Sequence, residues 1–242
     1  MARTLALTAA ELRRVFRNRR YFIFTVAFPV VIYLFVARSV KTTAYGVSFG
    51  AYYMIAMATL GAFSGTLNGN AQRISQEKKE GWIRQLRLTP LPANAYVVAK
   101  LIASMVTSVP AITIVFLLGS FYGQVDMPLW KWVVIAVAIW FGTFIFAALA
   151  VAIGYRISPD AVQPVAMIIF FGFSILGGLW FPLSGGMADF AKFTPTYQVV
   201  KISTDVLAAG RVDVANVLGI VAWFAIFLGL AILAVRSTAE SM

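Results

Sequence analysis

The 242-residue chain contains no cysteine, no histidine and only nine carboxylates. Without cysteine there is no disulfide and no thiol chemistry. With histidine also missing, an intramembrane metalloprotease would have only dispersed acids to hold its metal. Those acids are Glu11, Glu77, Glu80, Asp126, Asp160, Asp189, Asp205, Asp213 and Glu240. Each falls in a loop, a terminus or a segment read below as a surface helix. None lies near the middle of an apolar run, where proton- or sodium-coupled carriers keep their ionisable groups. A Gly-x-x-x-x-Gly-Lys-Ser/Thr loop is missing too, so the chain does not bind ATP in that way. Charged residues amount to 12%, about half the share found in soluble domains. Apolar residues make up 61%, and the mean hydropathy is +0.85. Such a composition belongs to an integral membrane protein.

Six apolar segments are long enough to cross a bilayer, which takes about 20 residues each. They cover 21–37, 45–70, 95–122, 132–155, 161–180 and 214–235. The third is long for a perpendicular span and contains Pro110, so a tilt or a kink is expected there. The formal net charge of +11 sits in short loops beside these spans, which argues against a nucleic-acid partner. Fourteen of the twenty Lys and Arg residues fall on the side that carries both termini. The positive-inside rule therefore places both termini in the cytoplasm. Arg38 and Lys41 run against the rule locally.

Residues 1–20 precede the first span and carry Arg13, Arg14, Arg17, Arg19 and Arg20. The apolar run after them is long for a signal peptide and lacks a clear cleavage site. The segment reads as an interfacial helix. Leu5, Leu12, Val15 and Phe16 are expected to face lipid while the arginines reach phosphate headgroups. Between the fifth and sixth spans, residues 181–212 read as an external re-entrant segment with one or two short helices, because irregular backbone at membrane depth needs protein or water to satisfy it. Gly46 and Gly50, then Gly61, Gly65 and Gly69, stand at helix-packing spacing and predict close approach around the second span.

The charged island between the second and third spans, residues 73–90, carries the strongest functional signal. The expectation is one short amphipathic helix. Glu77 and Glu80 sit near its start, where carboxylates favour the helix dipole. Trp82, Leu86 and Leu88 form an apolar side beside Arg84 and Arg87. Thr89-Pro90 ends it, because proline cannot continue the backbone ladder. A shaped cytoplasmic helix on a membrane protein with no engine of its own suits contact with a soluble partner.

Three pieces of this region carry a family resemblance: the run Arg73-Ile-Ser-Gln-Glu-Lys-Lys-Glu-Gly81, then Leu86-Arg-Leu-Thr-Pro-Leu91, then Lys100. With the basic N-terminal segment and the six-span pattern, the chain resembles the transmembrane subunit of type-two ATP-binding-cassette exporters, the class that includes bacterial drug and antibiotic exporters. Trp82 departs from the small hydroxyl residue usual after that glycine. The resemblance implies an all-α permease with a cytoplasmic coupling helix, set in the bacterial plasma membrane. It implies a second permease subunit, making a homodimer, and two copies of an ATPase subunit that bind ATP and Mg. No cofactor belongs to this chain itself. Contact with the ATPase would fall to Glu77, Glu80, Gly81, Trp82, Arg84, Leu86, Thr89 and Pro90. Aromatic side chains in the spans, such as Tyr52, Tyr53, Phe63, Phe170 and Phe173, would suit an amphipathic substrate, although aromatics also face lipid. A polysaccharide- or glycolipid-exporting permease and a non-transporting membrane scaffold or sensor are the competing readings.

Overall fold

A computed structural model describes residues 2–40, 42–89 and 95–240. In chain order these form α1 (Ala2–Arg17), α2 (Arg19–Val36), a short hairpin of β1 (Thr43–Ala44) and β2 (Val47–Ser48), α3 (Phe49–Lys79), α4 (Trp82–Arg87), α5 (Ala95–Phe121), α6 (Leu129–Arg156), α7 (Pro159–Leu176), α8 (Gly186–Ala191), α9 (Pro195–Ala209) and α10 (Val214–Glu240). The antiparallel pair β1–β2 is the one strand pairing among the described residues, and the architecture is all-α.

Among the described residues, α5, α6, α7 and the Val214–Ser237 part of α10 are long and apolar enough to cross a membrane, and α2 adds a shorter apolar stretch, Thr25–Val36. α3 has the length without the composition. It is the central post of the bundle and packs against α2, α5, α6, α7 and α9. Its surface meets protein on most sides, so Asn68, Asn70 and Gln72 are tolerated at depth. At 1.5 Å per residue α3 runs roughly 46 Å, well beyond a 30 Å hydrocarbon layer. It continues unbroken to Lys79, past residue 70, where the sequence had placed the end of the apolar segment.

The start of α3 also differs from expectation. Tyr45 and Gly46 both take positive φ, 52° and 78°, and form the hairpin turn. Gly46 is thus a turn residue that accepts left-handed backbone, and it does not belong to a helix-packing pair. Ser48 then caps α3, its hydroxyl oxygen accepting from the Ala51 amide at 3.3 Å. Gly61 does what its spacing predicts. A Cβ placed there would lie 3.0 Å from Ala111 Cβ and 3.1 Å from Pro29 Cγ, so α2, α3 and α5 meet at that glycine within one chain. α5 runs unbroken through Pro110. Near the point where proline cannot donate, the Met105 carbonyl accepts from Trp140 Nε1 at 2.7 Å and from Ser108 Oγ at 2.9 Å.

Contacts between non-adjacent elements separate the bundle into two ends. At one end Ser75 Oγ donates to the Ile157 carbonyl at 2.7 Å, and Lys78 reaches the Tyr155 carbonyl. At the other, Arg38 Nε donates to the Tyr122 carbonyl and Lys131 Nζ to the Leu207 carbonyl, at 2.8 and 2.7 Å. There too the Tyr45 hydroxyl accepts from the Leu183 amide at 3.0 Å, and Tyr52 donates to the Gly178 carbonyl. The stretch between α7 and α10, where one or two short helices were expected, holds the six-residue α8 and the 15-residue α9. Most of α9 is buried. Thr196 Oγ1 donates to the Phe173 carbonyl at 2.5 Å, tucking α9 against the end of α7.

Candidate coupling site

Gly81 decides the shape of the charged island. Its φ of +73° ends α3, with the Glu80 amide closing back on the Gln76 carbonyl at 2.9 Å and the Gly81 amide on Lys78 at 3.1 Å. Left-handed glycine is a common way to stop a helix. The expected single helix from Glu77 is therefore two elements, the last turns of α3 and the six-residue α4. This reverses the electrostatic reading of Glu77. It lies at a helix C-terminus, where the dipole disfavours a carboxylate, and it needs a different partner.

The partner is a buried ionic knot. Glu77 is 2% exposed and Lys100, on α5, 1%. Lys100 Nζ donates to Glu77 Oε1 at 2.8 Å and to Glu11 Oε2, on α1, at 2.7 Å. Arg14, also on α1, donates to Glu77 Oε1 at 2.8 Å, and the Tyr96 hydroxyl donates to Glu77 Oε2 at 2.6 Å. The network continues inward: Ser104 Oγ donates to the Lys100 carbonyl at 2.7 Å and Asn70 Nδ2 to Ser104 Oγ at 2.5 Å. Buried charges are stable only when paired and fully bonded, so these contacts hold α1, the end of α3 and the start of α5 in one arrangement.

α1 is consequently docked on its Glu11 side. Val15 is buried with Glu11 and Thr8 and faces the bundle, where lipid had been expected. Leu5 and Phe16 remain exposed, as do Arg13 and Arg17. The side chains of Arg19, Arg20 and Arg87, and all of Pro90, lie outside the described residues.

α4 sits over this knot. Ile83, which the sequence reading passed over, is its buried anchor and packs with Ile74, Tyr96, Val151 and Tyr155, while Leu86 covers the edge. Trp82, Arg84, Gln85, Leu88 and Thr89 face outward with Glu80. Thr89 Oγ1 donates to the Leu86 carbonyl at 2.6 Å, and Glu80 accepts from Gln76 at 2.8 Å. A cleft of about 430 Å³ opens between α1 and α4, with Trp82, Gln85 and Glu80 on one wall and Leu7, Ala10 and Arg14 on the other.

The aromatic residues considered for a substrate path sit elsewhere. Tyr52, Tyr53, Phe63 and Phe170 are buried. Phe63 lies 4.0 Å from Phe146 and 5.1 Å from Phe170, ring centre to ring centre. Phe173 packs edge-on to Trp223 and Phe146. In this arrangement they form the aromatic core of one bundle. Among the described residues no group of acids suited to a metal ion occurs.

The site is thus an exposed, short α4 seated on a buried ionic base at one end of an all-α bundle with several apolar helices long enough to cross a membrane. The family model described as "ABC-2 family transporter protein" matches residues 37–234, and the chain belongs to that family. Among curated proteins it is similar to "Putative transport permease YvfS" of Bacillus subtilis (strain 168), with 25% identity over 223 residues, 90% of this chain and 91% of the relative. The chain is thus a multi-pass permease of the ABC-2 type. The family match begins after α2, so the role of α1 is argued from its own contacts.

Proposed function

We propose that this chain is the membrane-spanning subunit of an ABC exporter in the bacterial plasma membrane. α2 and α3 complete six spans with α5, α6, α7 and α10. Both termini and α4 face the cytoplasm, as the distribution of Lys and Arg favours. Two copies pair with two ATPase subunits, which bind ATP and Mg. The exposed face of α4 and the cleft beside α1 receive the ATPase, and closure of the ATPase pair moves α1, α3 and α5 together. The substrate is amphipathic or apolar, and the layer around Tyr52, Tyr53, Phe63, Phe170 and Phe173 is the surface it meets when the bundle parts.

The observation that carries this reading is the division of labour at the island. Glu77 is held inside the ionic knot, whereas Glu80 and Trp82 stand free of the core on the cleft wall. Association through such a surface depends on charge complementarity and a few aromatic anchors. Glu80→Ala with Trp82→Ala is expected to insert and melt like the wild type. It is expected to lose about tenfold in co-purification with the cognate ATPase, roughly one good interface contact. Substrate-stimulated ATP hydrolysis in lipid should fall with it. Unchanged recruitment at normal expression would remove α4 as the docking element.

A further inference from the structure

Beside the ionic knot, a pocket of about 280 Å³ opens between α1, α3 and α7. Eight of its nine lining residues carry polar side chains, in a bundle of otherwise apolar helices. Asn18 contributes from the break between α1 and α2, Asn68 and Gln72 from successive turns of α3, and Gln163 from α7, with Arg14 and Arg73 beside them. The side-chain oxygens of Asn68 and Gln72 are buried and have no hydrogen-bond partner among the described residues. Burying an amide oxygen unpaired is unfavourable, and two of them on one wall call for a ligand that donates. Charge calls for an anion as well. Two guanidinium groups, those of Arg14 and Arg73, line the pocket beside one carboxylate, Glu77.

Depth and access narrow the source. Asn18 marks the turn from the interfacial α1 into α2, which is headgroup level for such a helix. α7 closes the far wall and is poorly covered, with 22% of its apolar stretch buried, so a lipid can approach sideways. We propose that this pocket binds the head of an anionic, hydroxyl-bearing phospholipid of the phosphatidylglycerol kind from the cytoplasmic leaflet. Head hydroxyls donate to Asn68 Oδ1 and Gln72 Oε1, and the Arg14 guanidinium pairs with the phosphate. The choice of leaflet rests on the orientation proposed above, whereas lipid retention is read on the permease alone and does not depend on transport.

The test is native mass spectrometry of the full chain in detergent, with phosphatidylglycerol, zwitterionic phosphatidylethanolamine or soluble glycerol phosphate added. Wild type should keep phosphatidylglycerol in preference to phosphatidylethanolamine, and millimolar glycerol phosphate should not displace it. Asn68→Leu with Gln72→Leu should weaken retention about tenfold, as loss of bonds to a charged head implies. The same variant should melt no lower than wild type, because neither oxygen has a protein partner to lose. Should it fail to fold, Gln163→Leu on the opposite wall supplies the same reading. Equal retention of both lipids, or unaltered retention by the variants, would overturn the site. Displacement by glycerol phosphate would show a soluble phosphoester as the ligand and overturn the lipid assignment.

Discussion

Lys100 shows how much one side chain organises. It lies one turn after Tyr96 in an otherwise apolar helix, and an ammonium at that depth must be matched by carboxylates. Glu77 and Glu11 match it, from helices that are distant in sequence. Breaking such a pair leaves charge buried and uncompensated. Lys100→Ala leaves two carboxylates facing each other beside Arg14 and should lower stability by about 3–5 kcal/mol. The thermal melt of the purified chain reads this, with earlier proteolysis within α1 as a local report. The triple change Lys100→Met, Glu11→Leu, Glu77→Leu should recover most of the loss, because an apolar replacement of the whole network leaves nothing unpaired. A wild-type melt for Lys100→Ala would mean that the knot is not desolvated.

Elements in this protein pack through glycines as much as through large side chains. α6 lies so close to α9 that a Cβ on Gly142 would strike the Val199 side chain, with Val199 Cβ itself 3.3 Å away. Gly142→Ala is therefore expected to cost about 1–3 kcal/mol through overpacking. Val199→Ala in the same chain should relieve it, since the side chain in the way is then gone. Single and double variants compared by thermal melt give the coupling directly. Additive losses would show that α9 does not seat on α6 at this point.

The whole molecule has one end that is basic and braced and another that holds the hairpin, α8 and α9. Orientation in the membrane sets which of them meets ATP. The chain has no cysteine of its own, so single introduced cysteines report sidedness without background. Lys79→Cys, at the exposed end of α3, should react with an impermeant thiol reagent only after the membrane is opened. Phe190→Cys, on exposed α8, should react in intact cells. The reverse pattern would invert the topology and take α4 away from any cytoplasmic partner. Helix coverage at this scale is uneven: among the described residues only 17% of the apolar stretch of α10 is buried within the chain.

Composition, the spacing of apolar runs and the charged island determined the class of this protein by themselves. Each is a local property, set by bilayer thickness and by the cost of charge in hydrocarbon. The resemblance rested on contiguous motifs, so it too was legible before folding. Only the tertiary structure decided which residues of the island work inside and which outside. Glu77 and Glu80 look alike in sequence, three residues apart at the same boundary. The left-handed turn at Gly81 and the approach of α5 turn one toward Lys100 and leave the other on the surface. Ile83, Tyr96 and Glu11 were missed for the same reason, because their partners come from three helices far apart in the chain. The unpaired lysine in an apolar span was the one signal that could have pointed to them. Pairing across sequence distance is settled by packing, and a linear pattern records the need for a partner without naming it.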